Sequence, residues 1–202
     1  MMSFLCVVLL STLTTWTIVH GMDETVLATI PVPMKKFDLS QSLGRWYYQF
    51  QKAPCSWSGS SEFSDYEIFL SAENSKSILF TLTMRIDICN QITGRAFINP
   101  QPGVFRSKDS IGNVFSGLYV IVAEDPKTYS IVYGCTKLSA FGNKCEDASI
   151  TVKTRVPFPN KKIIAQIYNV LMAVWGISIH DLQRVPFRES CVKQQRTKYT
   201  YG

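Results

Sequence analysis

The chain has 202 residues, 46% apolar and 18% charged, enough for one domain with a sizeable core and too apolar for a disordered chain. Its net charge of +6 is scattered apart from a small basic cluster at Lys193, Arg196 and Lys198. That cluster lacks the interleaved aromatic and basic residues of a nucleic-acid groove, so no nucleic-acid partner is expected. Only one histidine, His180, follows residue 21, and no Cys-x-x-Cys occurs, so neither a zinc site nor any other cofactor is expected.

Residues 1–21 read as a signal peptide. Phe4 to Leu10 is an apolar run, Ser and Thr follow, and Val19-His20-Gly21 offers a small residue for cleavage. An uncleaved anchor is the rival, but the run is short for a span and diluted by Ser and Thr. Residues 22–202 then form one domain that keeps the whole net charge, since the leader holds no Lys, Arg, Asp or Glu. No later apolar run reaches spanning length, so a secreted, extracellular protein with no transmembrane segment after cleavage is expected.

After the linker Ile30-Pro31-Val32-Pro33 comes Phe37 to Tyr48, where Asp38 or Ser40 can cap a short helical turn. Gly44 allows a close backbone approach, and Trp46, Tyr48 and Phe50 begin a period-2 ladder. Strand-like segments recur at Phe63–Leu70, Ser77–Ile86, Ile92–Ile98, Val104–Ser107, Val114–Ala123, Tyr129–Leu138 and Ala148–Val156. Asn99-Pro100-Gln101-Pro102-Gly103 and Glu124-Asp125-Pro126-Lys127 are among the turns between them. Eight short strands with hairpin-length links indicate an antiparallel barrel or sandwich. Pro157-Phe158-Pro159 ends the strands. Asn160 then caps a helix whose apolar residues Ile163, Ile164, Ile167, Leu171, Val174 and Trp175 follow a period of 3.6, with Gly176 just past its end. Such a helix must dock its apolar stripe on the outside of the β-structure. A short extended piece, Asp181 to Val185, precedes a polar tail.

Cys6 leaves with the leader, and Cys55, Cys89, Cys135, Cys145 and Cys191 remain. In an oxidising compartment an even subset should pair. Two bridges among five cysteines allow fifteen arrangements, five choices of the one left over with three pairings each. Spacing does not choose among them.

Eight strands, one helix and a short strand, with three motifs in order, resemble the lipocalin family. The likeness is to its secreted kernel type, the branch of apolipoprotein D, plasma retinol-binding protein and alpha-microglobulin. The motifs are Phe37 to Tyr48 with Gly44, Trp46 and Tyr47; Ala123 to Tyr133 with Asp125; and Arg155 before Pro157. In the second motif Glu124 and Pro126 stand where the family has Thr and Tyr, so a remodelled turn is expected there. The resemblance covers about residues 35–191. It implies an eight-stranded antiparallel up-and-down barrel with the C-terminal helix packed outside. It also implies that Arg155 lies across the Trp46 indole and seals the closed end.

The resemblance further implies bridges Cys89–Cys191 and Cys135–Cys145. Cys55 is then the expected free thiol in the loop after the first strand, near the open rim, where a homodimer could form through it. Alternation, with the resemblance, places in the lumen Tyr48 and Phe50 on strand one, Tyr66 and Ile68 on two, and Phe80, Leu82 and Met84 on three. Ile92, Gly94 and Ala96 follow on four, Phe105 and Ser107 on five, Tyr119 and Ile121 on six, and Ser130 and Val132 on seven. No Lys, Arg, Asp or Glu is expected there. The function implied is that of an extracellular carrier of a small hydrophobic ligand such as a lipid, retinoid, steroid or pigment. The alternatives are a protein-binding or inhibitory lipocalin acting through its rim loops, and a thiol-dependent enzyme. The family's catalytic cysteine lies on the second strand rather than at Cys55, and His180 is expected outside the barrel, so no catalytic residue is assigned.

Overall fold

Eight antiparallel strands, each hydrogen-bonded to its neighbours in sequence, close on themselves in a computed structural model of the chain. The structure describes residues 24–55, 63–109, 116–142 and 144–192. The expected signal peptide, the cluster Lys193, Arg196 and Lys198, and the loop tips 56–62 and 110–115 lie outside the described residues. A five-residue helix α1 (Glu24–Ala28) and a short α2 (Leu39–Ser42) precede the strands. The strands are β1 (Gly44–Lys52), β2 (Ser64–Asn74), β3 (Ser77–Arg85), β4 (Cys89–Ile98), β5 (Val104–Asp109), β6 (Gly117–Asp125), β7 (Tyr129–Leu138) and β8 (Cys145–Thr154). Helix α3 (Lys161–Trp175), a 3-10 turn (Ile179–Asp181) and a two-residue β9 (Gln183–Arg184) complete the order.

The barrel closes because β1 is shared. Residues 44–47 pair with β2 and residues 47–52 with β8. Beyond Tyr47, β9 takes the edge that β2 has left, opposite Phe50 and Gln51. In this up-and-down topology α2 and the β2–β3, β4–β5 and β6–β7 turns gather at one end, and the β1–β2 and β7–β8 loops at the other. The first end is closed and the second open.

Two apolar cores result, one on each side of the sheet. On β7, Ile131 and Tyr133 face outward with Ile150 and Val152 of β8, while Val132 faces the lumen. The outer core is covered by α3, whose buried residues Ile167, Leu171 and Trp175 recur at every fourth position. Asn160 accepts from the Ile163 N–H at 3.0 Å at its start, and the chain turns off at Gly176. Val174, expected on the docked stripe, is instead 41% exposed. The outer core also takes in Leu27 of α1, whose carbonyl accepts from the Tyr133 hydroxyl at 2.7 Å.

Disulfides join Cys89 to Cys191 and Cys135 to Cys145, with Cα separations of 5.5 and 5.7 Å. The tail that ends at Cys191 is also held by Asp65, a buried residue at φ +53°. Its N–H donates to the Pro186 carbonyl, and its carboxylate accepts from the Arg188 and Glu189 N–H groups and from the Arg85 guanidinium. Burial opposes ionisation of Asp65. The donations from Arg188, Arg85 and Glu189 outweigh it and hold the carboxyl below its ordinary value.

Candidate functional site

The closed end is built around Trp46, which is fully buried and donates its indole N–H to the Ser42 carbonyl at 2.8 Å. The Arg155 guanidinium stacks on the indole, 3.6 Å from the ring centroid. It donates to the carbonyls of Gln41, Leu43, Arg45 and Pro126 at 2.7 to 3.0 Å. One side chain thereby ties α2, β1 and the β6–β7 turn together. Gly44 stands at φ +93°, a backbone conformation that side-chain-bearing residues rarely adopt, which is what requires glycine where β1 passes beneath Arg155. Asp125 accepts from the Lys127 N–H and the Thr128 hydroxyl, and the Pro126 carbonyl is one of the acceptors of Arg155.

Above this floor lies a cavity of about 110 Å³. Its wall includes Ile68, Phe80, Leu82, Ala96, Phe105, Tyr119, Ile121 and Val132, and Tyr48 and Ser107, as the alternation indicates. Gly94 supports the wall from behind. A methyl group there would stand 2.2 Å from Phe80 Cζ, so its absence lets that ring lie against β4. Tyr66, Met84 and Ile92 belong to the same inner core but not to the wall. Each lies nearer the open end of its strand than the lining residues Ile68, Leu82 and Ala96. On the β2–β4 side, apolar side chains thus pack above the cavity. Tyr66 stacks on Tyr48 there, with ring centroids 3.8 Å apart and planes 7° from parallel. Burial raises the phenol pKa of Tyr48 and Tyr66, and pushes Tyr119 up to about 12, so all three hydroxyls stay protonated at neutral pH.

Phe50 is not in the lumen. The register of β1 against β8 slips between Tyr48 and Phe50, so Gln49 is an extra residue and the alternation flips. Phe50 pairs with Val152 and packs in the outer core. Gln51, opposite the lining residue Thr151, takes over the inward register.

The expectation of an uncharged lumen is also corrected. Glu124 and Lys153 both line the cavity, with Ser42, Leu39 and Phe37 at the closed end and with Leu70, Ile78 and Thr151 on the wall. Ser42 donates its hydroxyl to Glu124. Lys153 is 7% exposed, and its Nζ lies 5.9 Å from the Trp46 ring centroid. Burial pulls its amine down to about 8, against the Glu124 carboxylate, which raises it, and with Arg155, which lowers it further. Thr151 and Lys153 alternate with buried Ile150 and Val152, so the period-2 signal for an inward face of β8 was present in the sequence. Ile78 likewise alternates with Phe80 and Leu82.

Cys55 is exposed at the end of β1 nearest the open rim, outside both disulfides, and its backbone N–H donates to Asp147 at 2.6 Å. It is not among the lining residues of the cavity. His180 is exposed in the 3-10 turn outside the barrel. No helix among the described residues is long and apolar enough to cross a membrane.

Solved structures share this architecture. The major allergen Per a 4 from cockroaches superposes with a TM-score of 0.64 at 20% identity, covering 82% of this chain and 98% of that one. Insecticyanin from the tobacco hornworm Manduca sexta gives 0.62 at 16%, covering 80% and 87%. Lobster apocrustacyanin A1 gives 0.60 at 15%, covering 79% and 84%. No family model matches the sequence, and no curated protein does.

Proposed function

We propose that this chain, whose fold is that of the lipocalins, is an extracellular carrier that holds a small hydrophobic molecule inside its barrel. The observation that carries the reading is the cavity itself: about 110 Å³ walled by Ile68, Phe80, Leu82, Phe105, Ile121 and Val132 above a floor that is sealed by Arg155 and Trp46. Each square ångström of apolar ligand surface buried there is worth about 25 cal/mol, so a small molecule gains several kcal/mol without any charge pairing. Ala96, Ser107 and Thr151 keep that space open, where bulkier residues would fill it. The setting is supported by the leader-like residues 1–21 and by two disulfides, which persist in oxidising compartments. The function is binding, and no step of bond chemistry is assigned.

Titration with a neutral apolar fluorophore, N-phenylnaphthylamine, tests this. Saturable binding with one site per chain is expected, together with its loss in Ala96→Phe, whose ring would occupy the cavity. Absence of saturable binding, or binding undiminished in a folded Ala96→Phe variant, would overturn the reading. Mass spectra of the same samples without reductant read whether two copies are joined through Cys55.

A further inference from the structure

The four inward positions nearest the floor on β6, β7, β8 and β1 form one row. Glu124 lies opposite Ser130, Ser130 opposite Lys153, and Lys153 opposite Tyr48. Directly opposed residues in antiparallel strands hold their Cβ atoms about 5 Å apart, so the row is a contiguous polar band. Two of its members make no hydrogen bond. The Ser130 hydroxyl is fully buried with none among the described residues, and Lys153, more than nine-tenths buried, has only the Trp46 ring face at 5.9 Å and the charge of Glu124 as its company. Glu124 is already engaged by Ser42, and the Tyr48 hydroxyl is shared with Tyr66. Buried polar groups are ordinarily satisfied, and a buried cation ordinarily has a counter-charge. Lys153 therefore lines the deep end of an apolar cavity without a hydrogen-bond acceptor, and Ser130, beside it in the row though not on the lining, offers a second unused hydroxyl.

The charges point the same way. Among the described residues Glu124 is the only carboxylate on the lining and Lys153 the only cation, while Arg155 adds a second cation on Trp46 just beneath. The floor thus carries one positive charge in excess. Resting on the carrier reading, we propose that the ligand is an apolar molecule ending in a carboxylate, bound head-down. One carboxylate oxygen accepts from the Lys153 ammonium and the carboxylate accepts also from the Ser130 hydroxyl, and the apolar body lies along Phe80, Leu82, Ile121 and Val132. Such charge-assisted hydrogen bonds are the strong ones, and one carboxylate would satisfy both orphaned donors and balance the floor.

Calorimetric titration of the full chain with decanoate, decanol and methyl decanoate at about pH 7, where the acid is ionised and Lys153 largely protonated, tests this. Decanoate is expected to bind about tenfold or more tighter than the two neutral analogues, as one charge-assisted hydrogen bond warrants. Lys153→Met and Lys153→Gln should each abolish that preference, read as the ratio of decanoate to decanol affinity within each variant, and Ser130→Ala should reduce it by a smaller factor. If the neutral analogues bind as tightly as decanoate, or if the preference survives in either lysine variant, the anchor is refuted and the carrier reading stands. If none of the three compounds binds, the anchor is refuted, and the carrier reading falls with it only if N-phenylnaphthylamine also fails to bind. The wild-type preference is read without any variant, so a misfolded mutant does not leave the question open.

Discussion

Arg155 closes the barrel by lying flat on Trp46, 3.6 Å from the ring centroid, while donating to four carbonyls, three in the stretch from Gln41 to Arg45 and one in the β6–β7 turn. Sequence distance makes this contact informative, because it joins the first strand to the end of the last. Arg155→Ala removes a stacked cation and leaves carbonyls of Gln41, Leu43, Arg45 and Pro126 without their donor. A loss of about 1–3 kcal/mol is expected, read as a lower urea midpoint with an unchanged slope. A midpoint equal to that of the wild type would count against the seal.

Asp65 gives the protein an acid-sensitive joint. Its carboxyl is held below the ordinary value of 3.8, so its contribution to stability is fully present above that value and is lost as the pH falls through the lower folded one. Asp65→Asn should be less stable than the wild type by about 1–3 kcal/mol near neutrality. The gap should shrink as the pH falls below about 4, when the wild-type carboxyl takes up its proton. A gap that stays constant down to strongly acid pH would show that the Asp65 carboxylate does not hold the tail.

Lys153 should show the opposite sign. Its folded value, about 8, lies below the ordinary 10.5, so the charged form is penalised in the folded state at every pH below 8. The penalty is relieved as the pH rises from 8 to 10.5. Ligand-free Lys153→Met should therefore be more stable than the wild type near neutrality, on the order of 1–3 kcal/mol. Its advantage should narrow toward pH 10.5. Chemical denaturation of both proteins across that range measures it, and a variant less stable at neutral pH would contradict the reading that burial of the Lys153 charge outweighs its attraction to Glu124.

The two disulfides should differ in weight. Cys89–Cys191 closes a loop of 102 residues and Cys135–Cys145 one of 10. In the chain-entropy account the long loop contributes about 4–5 kcal/mol and the short one nearer 3. Denaturant midpoints of the Cys89→Ser/Cys191→Ser and Cys135→Ser/Cys145→Ser proteins check the order, and the reverse order would contradict it.

The strands, the docked helix and most of the cavity wall were legible because each depends on local periodicity. Alternation from Phe80 to Met84 or from Tyr119 to Ile121 survives folding unchanged. It failed at Phe50, where a bulge inserts Gln49 and sends the aromatic ring to the outer core. Nothing in Tyr48-Gln49-Phe50-Gln51 announces an extra residue, since bulges are set by pairing with a strand about a hundred positions away. Lys153 was passed over for a different reason. A lysine in a strand is read as solvent-facing, and only the closed barrel shows that both faces of β8 are covered. Helix α1 carries no such periodicity, because Leu27 finds its site against Tyr133, which adjacency in sequence cannot reveal.

Native mass spectrometry of the full chain expressed in eukaryotic cells tests most directly for the proposed small molecule inside the barrel. A fraction of the chain should carry one small adduct that is released on denaturation, extracts into organic solvent, and is absent from Ala96→Phe. Wild-type protein that leaves the cell free of any adduct, and that takes up none of N-phenylnaphthylamine, decanoate or decanol when they are supplied, would contradict it.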